Sequence, residues 1–217
     1  MNRKPLLVVL GTFLLLAFVL GMLVYKSEKA DPPAQEAQRS RELLVRMHSP
    51  ALGRADAPVT IVEFIDPACE TCAKFYPFVK QMMAANPDRI RLVVRYAPFH
   101  RGSDQVVAML EAARRQGKFW PALEALLAAQ AGWVKNHTAQ PDLAWKHLEG
   151  LGLDLERMRS DMAAPDVAAV IALDLKDAAA LDVTRTPEYF VNGRPLPVFG
   201  YDPLAKLVND ALASSAR

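Results

Sequence analysis

Short apolar runs and periodic apolar stripes alternate in the region that follows residue 50. The runs at 59–65 and 89–96 are rich in β-branched and aromatic residues, which predicts two strands. Between them, apolar residues recur at steps of three and four from Phe75 to Met83, which predicts an amphipathic helix. Pro77 lies inside this pattern, and we expect it to kink the helix; the alternative is that the helix ends there.

From residue 103 to about residue 181 the pattern is almost wholly helical. Leucine and tryptophan recur at helical spacing in this block, and we interpret their stripes as faces directed to the core rather than as a ligand site. The predicted helices cover residues 104–116, 118–130, 141–150, 154–162 and 166–181.

The chain then returns to a strand pattern. The run at 188–191 meets an Asn-Gly pair at 192–193, which is the strongest short signal for a hairpin. The partner strand is predicted at 194–199, and its two prolines favour the edge of a sheet. Asp202 is predicted to cap a last helix that has Pro203 as its first residue.

The N-terminal segment 6–25 has no charged or strongly polar side chain, and its twenty residues are long enough to cross a bilayer as a helix. We expect an uncleaved transmembrane anchor, with residues 1–5 in the cytoplasm and residues 26–52 as a tether. The alternative is a cleaved signal peptide. Signal peptides have a shorter apolar region, of about 7–15 residues, that ends in a small-x-small cleavage site. No good site of this kind follows the segment.

The chain has 217 residues, which suits one domain with attachments, and a net charge of +2 with no basic cluster, so we expect no nucleic acid partner. Its two cysteines, Cys69 and Cys72, lie between the first predicted strand and the first predicted helix. A helix N-terminus favours a thiolate, and the thiolate is the reactive form of cysteine. A Cys-x-x-Cys pair at this junction indicates redox chemistry.

Two other interpretations of the cysteine pair stay open. A purely structural disulfide would close a very short loop and would stabilise the chain by only about 2 kcal/mol. A structural zinc site needs four ligands, and four scattered histidines do not supply a second ligand pair with the right spacing. These are His48, His100, His137 and His147, of which we expect the last three to be surface or loop residues. We expect no metal and no cofactor.

Glu63 is the one charged residue in the first predicted strand. A buried carboxylate is costly unless it is paired or protonated, so its position among apolar residues points to a function. We expect it beneath the cysteine pair, where it could exchange a proton with the second thiol. The alternative is an edge position that faces the solvent.

The order of elements and three local motifs resemble the DsbA-like thiol:disulfide oxidoreductases over residues 53–213. The motifs are APVTIVEF at 57–64, QGKFW at 116–120 and Thr-Pro at 186–187. The resemblance implies an α/β, thioredoxin-like fold with an inserted helical domain. The expected parts are 53–102 and 182–217 for the thioredoxin-like fold and 103–181 for the insertion, all preceded by the one N-terminal transmembrane helix.

The resemblance also implies roles for the matching residues. Cys69 would be the exposed nucleophile, Cys72 the buried resolving thiol and Glu63 the buried acid. Pro187 would follow a cis peptide bond, which would leave the backbone of Thr186 free to pair with an extended substrate; an ordinary trans bond is the alternative.

Glu70 and Thr71, between the cysteines, would lie at the substrate site. Glu70 is expected to oppose the thiolate of Cys69, to raise its pKa and to make the disulfide less oxidising.

The implied function is a single-pass protein of the bacterial inner membrane whose catalytic domain lies in the periplasm. It would exchange disulfides with exported proteins that carry thiols or disulfides, and it would work with a membrane redox partner. Two alternatives stay open. One is a dedicated periplasmic reductase fed by a membrane electron donor, and the other is a non-enzymatic binding or chaperone module with a structural disulfide.

Overall fold

The computed structural model of the chain describes residue 18 and residues 40–215. The predicted anchor at 6–25 and most of the predicted tether lie outside the described residues. Within the described part of the chain, no helix is both long enough and apolar enough to span a bilayer.

A mixed sheet of five strands is the centre of the fold. Its strands are β1 (Ala51–Leu52), β2 (Val59–Ile65), β3 (Ile90–Tyr96), β6 (Glu188–Val191) and β7 (Arg194–Pro195). They lie side by side in the order β1-β3-β2-β6-β7. β2 is parallel to β3 and antiparallel to β6, so the strand before the cysteines is the middle strand. The prediction of a thioredoxin-like α/β core is confirmed.

The helices follow the predicted order with small shifts at their ends. The helix after the cysteines continues through Pro77, because an apolar face on both sides of the proline packs against the core. The helices are α1 (Glu70–Ala85), α2 (Ser103–Arg115), α3 (Phe119–Ala128), α4 (Gln130–Trp133), α5 (Pro141–Trp145), α6 (Leu155–Met162), α7 (Pro165–Ala180) and α8 (Tyr201–Ser214).

Two layers of side chains cover the two faces of the sheet. Alternate residues of a strand project to opposite faces. In β2, Ile61 and Ile65 belong to the larger core under α1 and the helical block, while Val62 and Phe64 belong to a smaller core on the other face. Glu63 has the same parity as Ile61 and Ile65, and it therefore projects to the face that α1 covers.

The helical block contains a feature that the sequence pattern did not predict. A second, two-stranded sheet interrupts it, made by β4 (Val134–Lys135) and β5 (Thr138–Ala139). Its strands are too short to show an alternating pattern. The predicted helix at 141–150 is also shorter than expected, since α5 ends at Trp145.

The hairpin at the end of the chain forms at the predicted place. Asn192 and Gly193 both have positive φ, of 48° and 83°, as a tight two-residue turn requires. β7 is the edge strand but ends at Pro195, because the proline at 197 cannot donate to a ladder. The predicted cap at Asp202 is wrong: Gly200 precedes the first residue of α8, and Asp202 lies inside its first turn.

The compact unit begins at Ser40, which is earlier than the predicted start at residue 53. Residues 40–44 are helical, and Leu44 is only 2 % exposed. One cavity, lined in part by Arg41 and by Thr60 near the start of β2, also contacts the turn at 192–193. The chain therefore enters the domain at the end of β2 that lies away from the cysteines.

A buried ion network fastens this entering segment to the domain. The guanidinium of Arg95, which is 0 % exposed, donates to Asp174 and Asp177 of α7, both at 2.7 Å, and also to the Leu43 carbonyl. Arg46 donates to Asp177 at 2.8 Å, and the His48 ring lies 2.7 Å from Asp174. Sequence periodicity carries no signal for such a network, because its members lie far apart along the chain.

Replacement of Arg95 should destabilise the domain strongly. Arg95→Leu leaves two buried carboxylates without their common partner, and breaking a buried ion pair on one side costs about 3–5 kcal/mol. Urea unfolding followed by circular dichroism measures the change. Arg54→Leu is the matched control, because Arg54 pairs with Asp56 in full exposure at the surface and should have no measurable effect. Equal effects of both variants would contradict the role of the network.

Candidate active site

The cysteine pair occupies the junction between β2 and α1. Cys69 is the residue that precedes the first turn of α1, and it has extended backbone angles of φ −78° and ψ 116°. The loop before it is closed by Asp66, whose carbonyl accepts from the Cys69 N–H at 3.0 Å. Cys72 lies one turn further in the helix. The unpaired N–H groups of the first turn therefore point towards the end of the helix where the Cys69 sulfur lies.

Both cysteines are free thiols, and both are more buried than the sequence suggested. Cys72 is 0 % exposed, as expected, but Cys69 is only 6 % exposed, so the expectation of an openly exposed nucleophile is wrong. The segment before Pro187 covers it, and the Cys69 thiol donates to the Thr186 carbonyl at 3.2 Å. Cys69 nevertheless lines an open cavity of about 370 Å³.

The two thiols have opposite electrostatic environments. The Cys72 thiol, by hydrogen bonding to the sulfur of Cys69, lowers the pKa of Cys69 to about 5 against the effect of burial. The Thr186 side chain and the backbone N–H groups of Cys72 and Thr71 act in the same direction. Burial, followed by the hydrogen bond to Cys69 and the charge of Glu63, raises the pKa of Cys72 well above its ordinary value.

Glu70 and Thr71 line the same cavity as Cys69. Glu70 is exposed and is the acidic residue of the first turn of α1. The pKa of Cys69 is low in spite of this carboxylate. The expectation of a raised pKa at Cys69 is therefore wrong, because hydrogen bonds to its sulfur lower the pKa.

Glu63 is 0 % exposed, so the alternative of a solvent-facing edge position is excluded. Its Oε1 atom accepts from the Tyr189 hydroxyl at 3.0 Å. Burial raises the pKa of Glu63 to about 8, and the negative charge of Cys69 adds to this rise. The carboxyl is therefore mostly protonated at neutral pH.

The Thr186–Pro187 peptide bond is cis. The carbonyl of Thr186 faces Cys69, and residues 184–186 form one wall of the cavity. The structure thus brings all seven residues selected from the sequence to one place. These are Glu63, Cys69, Glu70, Thr71, Cys72, Thr186 and Pro187.

A carboxylate that was not among the predicted site residues organises the loop before the cysteines. Asp66 is 0 % exposed and accepts from the Ala68 N–H at 2.8 Å and from the Ser103 hydroxyl. It also accepts from the backbone N–H of His100 at 2.8 Å, and its Oδ2 atom lies 2.7 Å from His100 Nδ1. His100, which was expected to be a surface or loop residue, lines the cavity of Cys69 together with His137.

A second missed residue comes from the helical insertion. The Gln130 side chain is 6 % exposed and donates to the carbonyls of Pro67 at 2.7 Å and of Cys69 at 3.0 Å. The insertion therefore holds the backbone of the nucleophile directly. Only the position of Asp66, directly after a strand, could have suggested a site residue from the sequence; Gln130 gave no signal.

Among residues 18 and 40–215, no three His, Cys, Asp or Glu side chains are grouped so that they could hold a metal ion.

The central strand, the Cys-x-x-Cys pair at the start of a helix and the cis-proline beside it together define a thioredoxin-fold protein with a dithiol site. Residues 46–210 match the family model described as Thioredoxin, and the chain belongs to that family. The resemblance to DsbA-like proteins is confirmed in the solved structures that the fold matches.

Three of these structures have TM-scores of 0.67 or 0.68. A thioredoxin-like oxidoreductase from Silicibacter pomeroyi DSS-3 is 31 % identical, with 79 % of this chain and 96 % of that chain covered, at a TM-score of 0.68. The catalytic domain of Proteus mirabilis ScsC is 18 % identical, with coverage of 82 % and 98 % and a TM-score of 0.68. Wolbachia pipientis α-DsbA1 is 16 % identical, with coverage of 81 % and 98 % and a TM-score of 0.67. The last two show a shared fold.

Curated relatives include proteins named Na⁺/H⁺ antiporter NhaA. The one from Herminiimonas arsenicoxydans is 34 % identical over 165 residues, which cover 76 % of this chain and 25 % of the relative. NhaA 3 from Salinispora tropica is 34 % identical over 145 residues, which cover 65 % of this chain and 21 % of the relative. The chain thus spans about a quarter of the length of these relatives.

The opposite pKa shifts of Glu63 and Cys69 should appear in the pH dependence of stability. The pKa of Glu63 is raised from 4.5 to about 8, so its contribution is present below pH 4.5 and is lost as the pH rises to 8. The pKa of Cys69 is lowered from 9.0 to about 5, so its contribution is present above pH 9 and is lost as the pH falls to 5. In the reduced protein the two contributions oppose each other.

Oxidation removes the thiol and leaves only the contribution of Glu63. We therefore expect the free energy of unfolding of the oxidised protein to fall by roughly 2–4 kcal/mol between pH 5 and pH 8, and that of the reduced protein to change much less. Urea unfolding at a series of pH values measures both. Glu63→Gln should remove the fall in the oxidised protein, and an unchanged slope in that variant would contradict the assignment to Glu63.

Proposed function

We propose that the chain is a thiol:disulfide oxidoreductase that exchanges disulfides with exported proteins through Cys69 and Cys72. The observation that supports this most is the asymmetry of the pair. Cys69 has a pKa of about 5 and lines an open cavity, while the pKa of Cys72 is raised and its side chain is fully buried. One sulfur is thus suited to attack and to be attacked from outside, and the other to resolve from inside.

The exchange runs through one mixed disulfide. In the oxidising direction, a thiolate of the exported protein, which we call the client, attacks the Cys69 sulfur of the Cys69–Cys72 disulfide. The sulfur–sulfur bond breaks, and its electron pair stays on Cys72, which takes a proton from the buried carboxyl of Glu63. A second client thiolate then attacks the client sulfur of the mixed disulfide, so the client leaves oxidised and the pair remains as a dithiol. The reducing direction reverses each step.

The low pKa of Cys69 supports the oxidising direction. A stabilised thiolate stabilises the reduced form of the pair, and a pair whose reduced form is stabilised is a stronger oxidant. This favours an oxidase over the dedicated reductase. Equilibration with glutathione buffers measures the reduction potential, and a value near that of thioredoxin, about −270 mV, would favour the reductase instead.

The location that we propose is the periplasmic face of a bacterial inner membrane, with residues 6–25 as a single-pass anchor. The support is the uninterrupted apolar character of that segment and the absence of a good cleavage site after it. The NhaA relatives carry the name of an activity that operates across a membrane, which fits a domain that works beside one. A membrane redox partner would return the pair to its starting state.

Alkylation should distinguish the two cysteines of the reduced protein. Because the thiolate of Cys69 dominates above a pKa of about 5, its labelling by iodoacetamide should rise around pH 5 and level off by pH 7, while Cys72 stays unlabelled. Peptide mass spectrometry measures both rates. Cys72→Ala removes the largest cause of the low pKa and should move the rise to higher pH, and Cys72→Ser, which keeps a donor, should move it less. Equal labelling of both cysteines would support a structural disulfide.

Trapping should identify clients. Cys72→Ser lacks the resolving thiol, so mixed disulfides between Cys69 and exported proteins should accumulate in cells. Cys69→Ser is the matched control and should trap none. Non-reducing gels measure the amount of adduct, and mass spectrometry identifies the trapped proteins. A Cys72→Ser protein that traps no more than the control would argue for the non-enzymatic binding module.

The anchor makes a separate prediction. The mature protein should keep its N-terminal segment and should stay with the membrane fraction after a carbonate wash, because twenty apolar residues partition into a bilayer. N-terminal sequencing and fractionation measure this. A mature N-terminus near residue 27 or later would support the cleaved signal peptide instead.

A further inference from the structure

Tyr189 lies next to the buried carboxyl of Glu63, and no step of the exchange described above uses it. β6 runs antiparallel to β2, and in this register Tyr189 is directly opposite Glu63. Opposite residues on neighbouring strands project to the same face of a sheet, so both side chains lie under α1. Both are 0 % exposed.

One hydrogen bond joins the two side chains, and tyrosine is its donor. The Tyr189 hydroxyl donates to Glu63 Oε1 at 3.0 Å, and the ring of Phe75 packs 6.0 Å from the ring of Tyr189. Burial, followed by the charge of Glu63, raises the pKa of Tyr189 well above its ordinary value. The phenol therefore keeps its proton at any pH at which the protein would work, and it is a permanent donor.

A permanent donor on Oε1 decides which oxygen of Glu63 carries the proton of the neutral acid. A protonated carboxyl group has one hydroxyl oxygen and one oxygen that only accepts. Because Oε1 accepts from Tyr189, the proton belongs on Oε2. Within the described part of the chain, Oε2 is buried and has no hydrogen bond partner of its own. A buried polar atom without a partner is costly and calls for an explanation, and proton exchange at this atom provides one.

We propose that Tyr189 is a positioning residue that prepares Glu63 for proton exchange with Cys72. This rests on the proposed function. When the disulfide opens, its electron pair stays on Cys72, and the proton of Glu63 moves from Oε2 to that sulfur. The carboxylate left behind keeps one donor, the hydroxyl of Tyr189, until a proton returns from the solvent. When Cys72 attacks a mixed disulfide, its thiol proton moves to Oε2 of the ionised Glu63 carboxylate.

The charged and titratable groups around Glu63 come from two elements. α1 and the residue directly before it contribute Cys69, Cys72 and Tyr76, which are electrostatically coupled to Glu63, and β6 contributes Tyr189. Burial raises the pKa of Glu63 to about 8, and the hydrogen bond from Tyr189 works against this rise. Tyr189 is the neutral donor of this set that contacts the carboxyl directly, and it therefore lowers the pH at which the proton is released.

The test follows the two thiols separately in the variant Tyr189→Phe. The reduced full-length chain reacts with a symmetrical aromatic disulfide whose released thiolate is coloured. Cys69 attacks first and releases one coloured thiolate. Cys72 then attacks the mixed disulfide and releases the second, and this step needs the carboxylate of Glu63 to accept the proton of Cys72. Stopped-flow absorbance over a range of pH gives the rate of each phase.

We expect Tyr189→Phe to leave the first phase and its pH dependence unchanged. The second phase should slow about 10- to 100-fold at pH 7, and its inflection should move about one to two pH units higher, because the carboxylate loses its charge-assisted hydrogen bond. The pKa of Glu63 itself, read from its carboxyl ¹³C resonance, should rise by the same amount.

Two controls separate positioning from a structural effect. Tyr96→Phe also removes one buried hydroxyl from a carboxylate, since Tyr96 donates to Glu111 at 2.7 Å, and it should change neither phase. In a Glu63→Gln background, the addition of Tyr189→Phe should slow the second phase no further.

The proposal is overturned if Tyr189→Phe slows both phases equally, if it acts fully in the Glu63→Gln background, or if it leaves the pKa of Glu63 unchanged. Failure of the proposed function looks different. The wild-type chain would then release no second thiolate, while the carboxyl titration would still report whether Tyr189 sets the pKa of Glu63.

Discussion

The burial of the space between β2 and α1 limits how much negative charge the site can hold, and the pKa shifts of its acidic groups follow from this limit. Three acids meet there, Glu63, Cys69 and Cys72, and burial penalises the ionised form of each. Charge on one raises the pKa of the others, so near neutral pH about one negative charge is stable. Cys69 takes it, because it alone meets the helix N-terminus and the cavity. Exchange chemistry then moves that charge, with a proton following it.

The sequence could predict the elements whose signals are local. β2 coincides with the run of β-branched residues, the hairpin forms at the Asn-Gly pair, and α1 continues through Pro77 as its apolar stripe indicated. The elements that were missed have no local signal. β4 and β5 are two residues long, and residues 40–52 belong to the domain because an ion network, one buried leucine and the pairing of β1 with β3 fix them there. Such contacts join positions more than 100 residues apart.

The residues of the candidate site also divide into those that have a local sequence signal and those that have none. Cys69 and Cys72 follow from their spacing, and Glu63 from being a charge in an apolar strand. The degree of burial of Cys69 depends on the loop before Pro187, which is distant in sequence and covers the sulfur. Gln130 and Tyr189 become visible only when the insertion and the strand register place them, the first on the Cys69 carbonyl and the second opposite Glu63.

The start of the helix at 40–44 and the Cys69 sulfur lie at opposite ends of the central strand. Arg41 lies beside the start of β2 and the turn at 192–193, whereas Cys69 follows the far end of β2. A seven-residue strand separates the two ends by roughly 20 Å. The helix at 40–44 therefore begins on the side of the domain opposite to the Cys69 sulfur. A molecule that binds at the Cys69 cavity therefore has no need to displace the start of this helix.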